Sequence, residues 1–469
     1  MPFKEMRGFM DFLSKRGELK VCVKEVDSYI EVAKVTDKSS KIEGPAILFN
    51  NVKGFQTPVV TGLFGTVDRS YLAIESNKYD GFKRLAKGYE KPIPYKLVKD
   101  GPCKEVIKSG KEVDLSEVPV LWHHAKDSHR FITATVCRCK DPDTGVGNNS
   151  INRIAVQNKN QLTVQSVIPH QLGINAKKYI DRGQACPIVI AIGTDPATFA
   201  CAGCGIPFGM DETEFTGGVV GEPIEMVKCE SIDLDVPATS ELVVEGEIRP
   251  GKTDGYVGKS DYASEAPFAE ISGFFGRQTL SPVIHVTAIT HRKDYIYQGL
   301  GTAEPPSEHQ VLQCFAAQGN AYMLAKAAIP AENIVAVNPL IGAAGFATVV
   351  SIRKRFPGQA KQLIYSLLTK TSFKKIIVVD EDIDIFNPAF VEWAISFRAG
   401  PDDYVITAEI PGVPLDPMVT TPPNLMRKLG IDATLPLNGD KKGRIEVLRD
   451  LGPARYLDLD KVRLEDYIR

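Results

Sequence analysis

Two glutamates bracket a short apolar stretch in the second half of the chain. Glu265 and Glu270 enclose the sequence Ala-Pro-Phe-Ala. Because Pro267 cannot donate a hydrogen bond within a central strand, the segment is predicted to be a loop or an edge segment. In an extended chain the two carboxylates would point to opposite faces, whereas a bend at the proline would turn both toward one cavity kept apolar by Phe268. An apolar cavity lets a carboxyl group hold and deliver a proton near neutral pH, so this pair indicates acid–base chemistry.

An asparagine and an arginine lie five residues apart in the sequence GVGNNSINRIAV. The amide oxygen of Asn148 suits a hard cation, and backbone N–H groups in Gly-rich turns bind phosphate. The guanidinium of Arg153 can bind a carboxylate or a phosphate through two parallel hydrogen bonds. Taken alone, the segment is also explained by a solvent-exposed hairpin loop that leads into a strand, which is the commoner case.

Three further side chains are candidate metal ligands. His170 follows an apolar strand and a proline, where a lone histidine is more often structural than ligating. Glu222 and Glu225 precede a predicted strand, and either could complete a site of Asn, His and Glu that suits Mn²⁺ or Mg²⁺ better than structural zinc. The alternative is that both are ordinary exposed acids.

A Cys-x-x-Cys pair, Cys201 and Cys204, could form half of a zinc site or a redox pair. No second pair of ligands follows at a recognisable spacing, so small residues in a tight loop are the preferred interpretation. The chain has nine cysteines, an odd number, which favours a reducing, cytoplasmic location over a disulfide framework.

Composition limits the class of protein. With 469 residues, the chain is expected to form two or three domains. The formal net charge of −2 and the mixing of both charge signs argue against a nucleic-acid-binding surface. The apolar runs are too short to span a membrane, and the N-terminus is too charged for a signal peptide.

The elements that must position these residues follow from hydrophobic spacing. The N-terminus is predicted to form an amphipathic helix that ends at Gly17. The segment from Asn158 to Asn160 is predicted to form a hairpin turn. We divide the chain into an N-terminal α/β region at 1–98, a strand-rich, barrel-like region at 99–303 and a second α/β region at 304–438. A charged tail at 439–469 ends in helical spacing.

Taken together and in this order, the segments resemble the UbiD family of reversible, non-oxidative decarboxylases, which use prenylated flavin mononucleotide (FMN). The resemblance covers nearly the whole chain, including the stretch from Gly221 to Ile248. Asn148 to Arg153 is similar to the Asn-x-x-x-x-Arg element of the family, and His170 is similar to its metal-binding histidine. Glu265 to Glu270 is similar to its Glu-Gly-Pro-Phe-Gly-Glu element, with Ala266 and Ala269 in place of both glycines. Because alanine holds a positive φ less readily than glycine, we expect a differently shaped loop here.

The resemblance implies an N-terminal α/β domain, a central split β-barrel that binds the flavin, and a C-terminal α/β domain whose terminal helix reaches a dimer partner. It also implies a divalent metal, usually Mn²⁺ and often with K⁺ beside it, that ties the flavin phosphate to Asn148, His170 and either Glu222 or Glu225. The cofactor-binding residues that it implies are Asn148, Ser150, Ile151, Asn152, Arg153, His170 and Gln171.

The resemblance further implies a reaction. Glu270 would donate a proton to the carbon that has lost CO₂, while Arg153 and Glu265 would orient it and hold the substrate carboxylate. The substrate would be an aromatic, heteroaromatic or α,β-unsaturated acid. A separate flavin prenyltransferase would supply the cofactor, and the protein would be a homodimer or a higher homo-oligomer. The alternative is a non-catalytic subunit that binds flavin and metal within a larger assembly.

Overall fold

The structure is a computed structural model that describes residues 3–165, 168–277, 279–413, 415–419, 424–437, 454 and 461–466. The tail at 439–469, with its expected helix and its contact to a dimer partner, therefore lies almost entirely outside the described residues. Within the described ranges, the mixed α/β, multidomain fold class that the sequence predicts is confirmed.

The N-terminal part of the chain is a small α/β layer. Its elements are α1 (Met6–Lys15), β1 (Leu19–Cys22), α2 (Glu31–Lys41), β2 (Ala46–Phe49), β3 (Val59–Thr61), α3 (Val67–Leu72), α4 (Gly81–Glu90) and β4 (Lys96–Leu97). The predicted first helix is confirmed, because its apolar residues recur at helical spacing and are buried. It ends before Gly17, whose φ of 76° is easily adopted only by glycine.

The central part is dominated by antiparallel strands. Its elements are β5 (Val106–Ser109), β6 (Phe131–Ile132), β7 (Val136–Lys140), β8 (Gly147–Ser150), β9 (Ile154–Val156), β10 (Gln161–Val164), α5 (Gln171–Asp181), β11 (Cys186–Ile192), α6 (Pro196–Cys201), α7 (Glu212–Val220), β12 (Glu225–Lys228), β13 (Asp235–Pro237), β14 (Leu242–Ile248), β15 (Pro250–Gly255), β16 (Gly258–Ser260), β17 (Tyr262–Ser264), β18 (Leu280–His291) and β19 (Tyr297–Gln298). The turn predicted at Asn158 to Asn160 does connect β9 to the antiparallel β10.

The main central sheet is covered on both faces. Among the described residues its strands pair in the order β6-β9-β10-β18-β14-β11-β7-β8, and β5 and β17 also pair with β18. Alternate residues of β11 enter different cores: Val189 and Ala191 join the core under α1, whereas Ile188 and Ile190 join the core on the opposite face. Two buried faces explain why these strands read as nearly continuous apolar runs.

The C-terminal part is a sheet flanked by helices. Its elements are α8 (Glu308–Ala328), β20 (Ile334–Pro339), β21 (Ala347–Ile352), α9 (Gln359–Lys370), β22 (Lys375–Asp380), α10 (Pro388–Arg398), β23 (Tyr404–Ile406), β24 (Ile410–Pro411), β25 (Leu425–Met426) and β26 (Leu429–Ala433). In the described part of the chain the sheet order is β20-β21-β22-β26-β23, with β21, β22 and β26 parallel. Helix α8 packs against both α4 and β20, so it joins the first layer to this sheet.

Strand pairing crosses both predicted domain boundaries. Near residue 98, β4 pairs with β12 of the central part. Near residue 303, β19 pairs with β3 and completes the N-terminal sheet. The domain boundaries therefore remain predictions. The parts of the chain on either side of each boundary are joined by strand hydrogen bonds. Across the described ranges, no helix has both the length and the apolar character needed to cross a membrane.

Candidate active site

The two glutamates predicted from sequence converge on one arginine. Arg153 precedes β9, and its Nε and Nη2 donate hydrogen bonds to Oε1 and Oε2 of Glu265 at 2.6 and 2.8 Å. Its Nη1 donates to Oε1 of Glu270. Residues 265–268 form a loop after β17 rather than a strand, as Pro267 predicts. The loop therefore presents both carboxylates to the same guanidinium.

Burial distinguishes the two carboxylates. The side chain of Glu265 is 0% exposed, whereas that of Glu270 is 15% exposed and that of Arg153 is 11% exposed. Burial raises the pKa of Glu265, and this effect outweighs the opposing influence of Arg153. Burial by itself would lower the pKa of Arg153, but its hydrogen bonds and charge interactions with the two glutamates raise it overall. Of the two acids, Glu270 is the one open to a bound molecule.

An aromatic wall lies beside this network. The ring of Phe268 is 2% exposed, and the Arg153 guanidinium carbon lies 5.3 Å from its centroid. Phe131 packs on Phe268 with centroids 4.4 Å apart, and His123 meets Phe268 edge-on at 5.8 Å. The apolar surroundings expected from Phe268 are thus present.

The two alanines of the acid loop fit their positions. Neither Ala266 nor Ala269 is among the non-glycine residues with a positive φ, and both are buried, at 0% and 5% exposed. Glycine is therefore not needed for backbone reasons at either position. The expectation that alanine reshapes the loop through its φ preference has no basis in this geometry.

This fit predicts that restoring glycine will weaken the fold. We expect Ala269→Gly to lower the free energy of unfolding by about 1–2 kcal/mol, through loss of a buried methyl group and a more flexible unfolded chain. Equilibrium urea denaturation measures the change. Ala125→Gly, at an exposed turn position nearby, is the control: it makes the unfolded chain equally flexible but loses no buried methyl group, so it should cost about 0.4–1 kcal/mol and less than Ala269→Gly. An Ala269→Gly protein as stable as the parent would show that this methyl group contributes nothing.

A second loop, not predicted from the sequence, supports the acid loop. Asp127 accepts hydrogen bonds from the backbone N–H groups of His123 and His124 at 3.2 and 2.7 Å. The N–H of Ser128 donates to the carbonyl oxygen of Pro267 at 2.9 Å. Burial raises the pKa of Asp127 to about 6. A run of three histidines and an aspartate between residues 123 and 129 was the available sequence signal, but it matches no ligand spacing.

His309 also lies near the network. It is the second residue of α8, and its Nδ1 is buried without a hydrogen-bond partner among the described residues. Burial, together with the charge of Arg153, lowers the pKa of His309 to about 4, so the ring is neutral near pH 7. The sequence offered no cue for it, because it sits within an ordinary helical pattern.

A second cluster of polar side chains forms around Asn148. This residue lies within strand β8 and is 3% exposed, so the solvent-exposed hairpin alternative does not hold. Its Nδ2 donates to Oε1 of Glu212 at 3.1 Å and to Oε1 of Gln171 at 3.4 Å. The N–H of Asn149 donates to Oε2 of Glu212 at 2.6 Å. Burial raises the pKa of Glu212 to about 8, and this effect outweighs the hydrogen bond from the Asn149 N–H and the charge of Arg138, which both lower the pKa.

The carboxylate beside Asn148 is Glu212, which sequence reasoning missed. Glu222 follows the C-terminal end of α7, roughly 15 Å from Glu212 at 1.5 Å per residue. Glu225 begins β12 and lies 3.7 Å from the Nζ of Lys96, with its side chain 53% exposed. The geometry thus favours Glu212 over both sequence candidates. Glu212 is identified only by the packing of α7 against β8 in the structure, since no sequence motif connects these distant segments.

The other predicted residues lie around this cluster. His170 is exposed and occupies the N-cap position of α5 without a side-chain capping hydrogen bond, and Gln171 is the first residue of that helix. Ser150 accepts a hydrogen bond from Nδ2 of Asn152 at 2.6 Å, and Ile151 packs against the core under α1. The segment from Ser150 to Asn152 therefore connects the Asn148 cluster to Arg153.

The Asn148 cluster is chemically suited to a hard cation. Oδ1 of Asn148 is buried and has no hydrogen-bond partner within the described ranges. Amide and carboxylate oxygens are the ligands that Mg²⁺ and Mn²⁺ prefer. No group of three or more His, Cys, Asp or Glu side chains converges in the described part of the chain. Asn148 and Glu212 alone would leave room for ligands supplied by a bound molecule.

The Cys-x-x-Cys pair occupies a tight turn. Cys201 ends α6, and the N–H of Cys204 donates to the carbonyl oxygen of Cys201 at 2.9 Å. Both are buried, and a hydrogen bond to Cys201 together with burial raises the pKa of Cys204. The tight-loop interpretation is confirmed as local geometry. All nine cysteines are free thiols.

Comparison with family models matches three consecutive stretches of the chain. Residues 10–88 match the 3-octaprenyl-4-hydroxybenzoate carboxy-lyase N-terminal domain (UbiD_N). Residues 96–305 match the Rift-related domain (UbiD), and residues 310–433 match the C-terminal domain (UbiD_C).

Individual relatives are similar over nearly their whole length. An uncharacterized protein of Archaeoglobus fulgidus is 33% identical over 466 residues, covering 92% of each chain. The UbiD-class enzyme HmfF from Pelotomaculum thermopropionicum, solved in complex with FMN, has a TM-score of 0.88 and 34% identity over 99% of this chain and 100% of its own. The open form of vanillic acid decarboxylase from Sedimentibacter hydroxybenzoicus has a TM-score of 0.84 and 28% identity over 97% and 95%.

Proposed function

Because this chain belongs to the UbiD family of carboxy-lyases, we propose that it catalyses the reversible, non-oxidative decarboxylation of an aromatic, heteroaromatic or α,β-unsaturated acid with prenylated FMN. HmfF has been solved with FMN and, in an evolved dimeric form, with prenylated FMN. The observation that carries the proposal is the contact of Arg153 with both Glu265 and Glu270 at an apolar wall.

In this proposal Glu270 delivers the proton to the carbon that has lost CO₂. Its partial exposure supports this role, since the completely buried Glu265 has no access to a bound acid. Two carboxylates and one guanidinium carry one net negative charge, and protonating Glu270 makes the network neutral. A neutral network suits an apolar pocket better than a charged one.

Arg153 and Glu265 orient the acid and the substrate. Glu265 holds Nε and Nη2 of Arg153 at the same time, which fixes the plane of the guanidinium. Within the described residues, these contacts and the bond to Glu270 use three of the five N–H donors of an arginine. The remaining donors suit the carboxylate of a substrate before CO₂ departs.

The residues around Asn148 fit the phosphate end of the cofactor. We assign Asn148, His170 and Glu212 to a divalent cation, Mn²⁺ with K⁺ nearby, and Gln171 and the segment from Ser150 to Asn152 to the cofactor itself. The buried Oδ1 of Asn148, which has no hydrogen-bond partner among the described residues, and the buried carboxylate of Glu212 beside it support this assignment. When bound, prenylated flavin supplies an electron sink for the carbon that loses CO₂.

The aromatic wall supports a planar, apolar substrate. The buried rings of Phe268 and Phe131 make the surroundings of Arg153 apolar, and His309 adds a neutral ring. Such surroundings suit an aromatic, heteroaromatic or conjugated acid better than a flexible, highly charged one. The substrate and CO₂ are the small-molecule partners.

We also propose the cellular setting. A separate flavin prenyltransferase supplies the cofactor, and the protein acts in the cytoplasm, in keeping with its nine free thiols. We expect a homodimer or a higher homo-oligomer. The near-neutral net charge is typical of a protein that does not bind nucleic acid.

The test is to co-express the protein with a flavin prenyltransferase and to record its absorbance, cofactor mass and manganese content. We expect bound prenylated FMN with manganese, and CO₂ release from at least one acid in a panel of aromatic, heteroaromatic and unsaturated acids. A colourless protein without flavin mass would contradict the proposal. A flavin-loaded protein inert toward the whole panel would favour a non-catalytic flavin- and metal-binding subunit instead.

A further inference from the structure

A buried ion pair lies directly behind the Asn148 cluster. Arg138 lies in β7 with its side chain 1% exposed, and that of its partner Asp211 is 6% exposed. Nη2 of Arg138 donates to Oδ2 of Asp211 at 2.7 Å, and Nη1 donates to Oδ1 at 3.0 Å. Two parallel hydrogen bonds of this kind fix the orientation of both groups.

The pair is tied to the neighbours of both proposed ligands. Nη1 of Arg138 also donates to Oδ1 of Asn149 at 3.0 Å and to Oγ1 of Thr213 at 3.1 Å. Asn149 follows Asn148 in β8, and Asp211 and Thr213 flank Glu212. Nδ2 of Asn149 donates to Oγ1 of Thr213 at 2.9 Å, which closes the network.

Asp211 has a second task at the start of α7. Its carboxylate accepts a hydrogen bond from the backbone N–H of Thr213 at 2.7 Å and so caps the helix whose first residue is Glu212. The same carboxylate therefore sets where α7 begins and how it meets β7. Because Asp211 precedes Glu212 directly, its position determines where the Glu212 side chain emerges.

Gly147 makes room for the pair. A Cβ atom at this position would lie 2.2 Å from Nη2 of Arg138 and 2.3 Å from Oδ2 of Asp211. Only glycine lets the guanidinium and carboxylate lie against the strand one residue before Asn148. The absence of a side chain at Gly147 therefore leaves the space that the ion pair occupies beside β8.

Stability alone does not account for the arrangement. A buried ion pair is frequently no more stabilising than apolar residues of similar volume. What apolar residues could not provide is a set of directed hydrogen bonds to both β8 and α7. Groups that orient ligands in this way are known to affect metal affinity strongly.

We propose that Arg138 and Asp211 are a positioning pair that sets the spacing between Asn148 and Glu212, and thereby the affinity of this site for a divalent cation and the flavin phosphate. The inference rests on the proposed function, because it assumes that Asn148 and Glu212 bind these groups. It assigns no contact with cofactor or substrate to Arg138 or Asp211 themselves.

The test uses the double variant R138M/D211N, which removes both charges together and keeps an asparagine that can still cap α7. FMN is titrated into purified protein with Mn²⁺ present, and binding is followed by flavin fluorescence. We expect the dissociation constant to rise by roughly 10–100-fold. Thermal unfolding of the same samples shows whether the variant is folded.

The control is R398M/D382N, which removes an Arg–Asp pair in the C-terminal sheet region, where Nη2 of the buried Arg398 lies 2.6 Å from the half-buried Asp382. It should change FMN affinity by less than about twofold even if it lowers the unfolding temperature. An equal loss of FMN affinity in the control would overturn the inference. The weaker FMN binding of R138M/D211N would then result from general destabilisation of the protein.

The outcomes separate the inference from the function. A parent protein that binds no FMN would overturn the proposed function and the inference with it. A parent that binds FMN, with a folded R138M/D211N protein that binds it equally well, would overturn the inference alone. If the double variant does not fold, the Thr213→Val variant tests the inference instead. It keeps the charges of Arg138 and Asp211 and replaces only the hydroxyl group of Thr213 with a methyl group. We then expect roughly two- to tenfold weaker FMN binding, and unchanged binding would overturn the inference.

Discussion

Glu270→Gln should retain bound flavin yet lose decarboxylation by about 100- to 10,000-fold in kcat. Glutamine keeps the size of the side chain and can still accept a hydrogen bond from Arg153, but it cannot donate an acidic proton to carbon. General acid catalysis by a positioned side chain contributes a rate factor of this order. The measurement is CO₂ release at saturating substrate, with the flavin content of each preparation determined by absorbance and mass.

The matched control is Glu304→Gln, which changes an exposed glutamate beyond the acid loop. It should leave kcat within about twofold. If Glu270→Gln keeps its flavin and turns over at the parental rate, the assignment of Glu270 as the proton donor is wrong. If it loses flavin as well, the carboxylate has a binding role that the present assignment does not include.

Glu212→Gln should abolish stable retention of manganese and weaken FMN binding by at least about 100-fold. The substitution removes an ionisable carboxyl group next to Asn148, whose charged form a bound cation would favour, while keeping the shape of the side chain. Loss of a direct ligand should exceed the 10- to 100-fold effect of losing a group that merely orients one. Metal content after gel filtration and a fluorescence titration with FMN in the presence of Mn²⁺ give the two values.

Glu222→Gln and Glu225→Gln are the controls for this second prediction. Since Glu222 lies at the far end of α7 and Glu225 faces Lys96, each should leave metal content and FMN affinity unchanged within about twofold. A Glu225→Gln or Glu222→Gln protein without manganese, alongside a Glu212→Gln protein that keeps it, would restore the assignment made from sequence.

The acid loop was predictable because the residues that define it lie close together in the sequence. A proline and two carboxylates five residues apart exclude a regular strand and allow both acids to face one side. The structure adds what spacing cannot show, namely that Arg153 meets both acids and that Glu265 is the more deeply buried. The amphipathic first helix and the hairpin at Asn158 to Asn160 were predictable for the same reason.

The carboxylate that we propose for the metal site, Glu212, was not predictable, because Asn148 is remote from it in sequence. Glu212 follows Asn148 by 64 positions, and their contact depends on how α7 packs on β8. Glu222 and Glu225 were predicted as ligands because they lie next to an apolar strand. Their position in the sequence does not show which end of α7 faces Asn148. Likewise, Asp127 and His309 reach the site through tertiary packing that no local pattern encodes.

The pairing of β19 with β3 has a consequence for how the protein is made. The first sheet is assembled from residues near the N-terminus, but its last strand, Tyr297–Gln298, is synthesised much later. In addition, the carboxylate of Glu308 accepts hydrogen bonds from the backbone N–H groups of Gly62 and Phe64. At about 5–20 residues per second, roughly 10–50 s separate the emergence of β3 from that of β19. During that interval the nascent N-terminal layer has an open sheet edge, so its completion must wait for the central part of the chain to leave the ribosome.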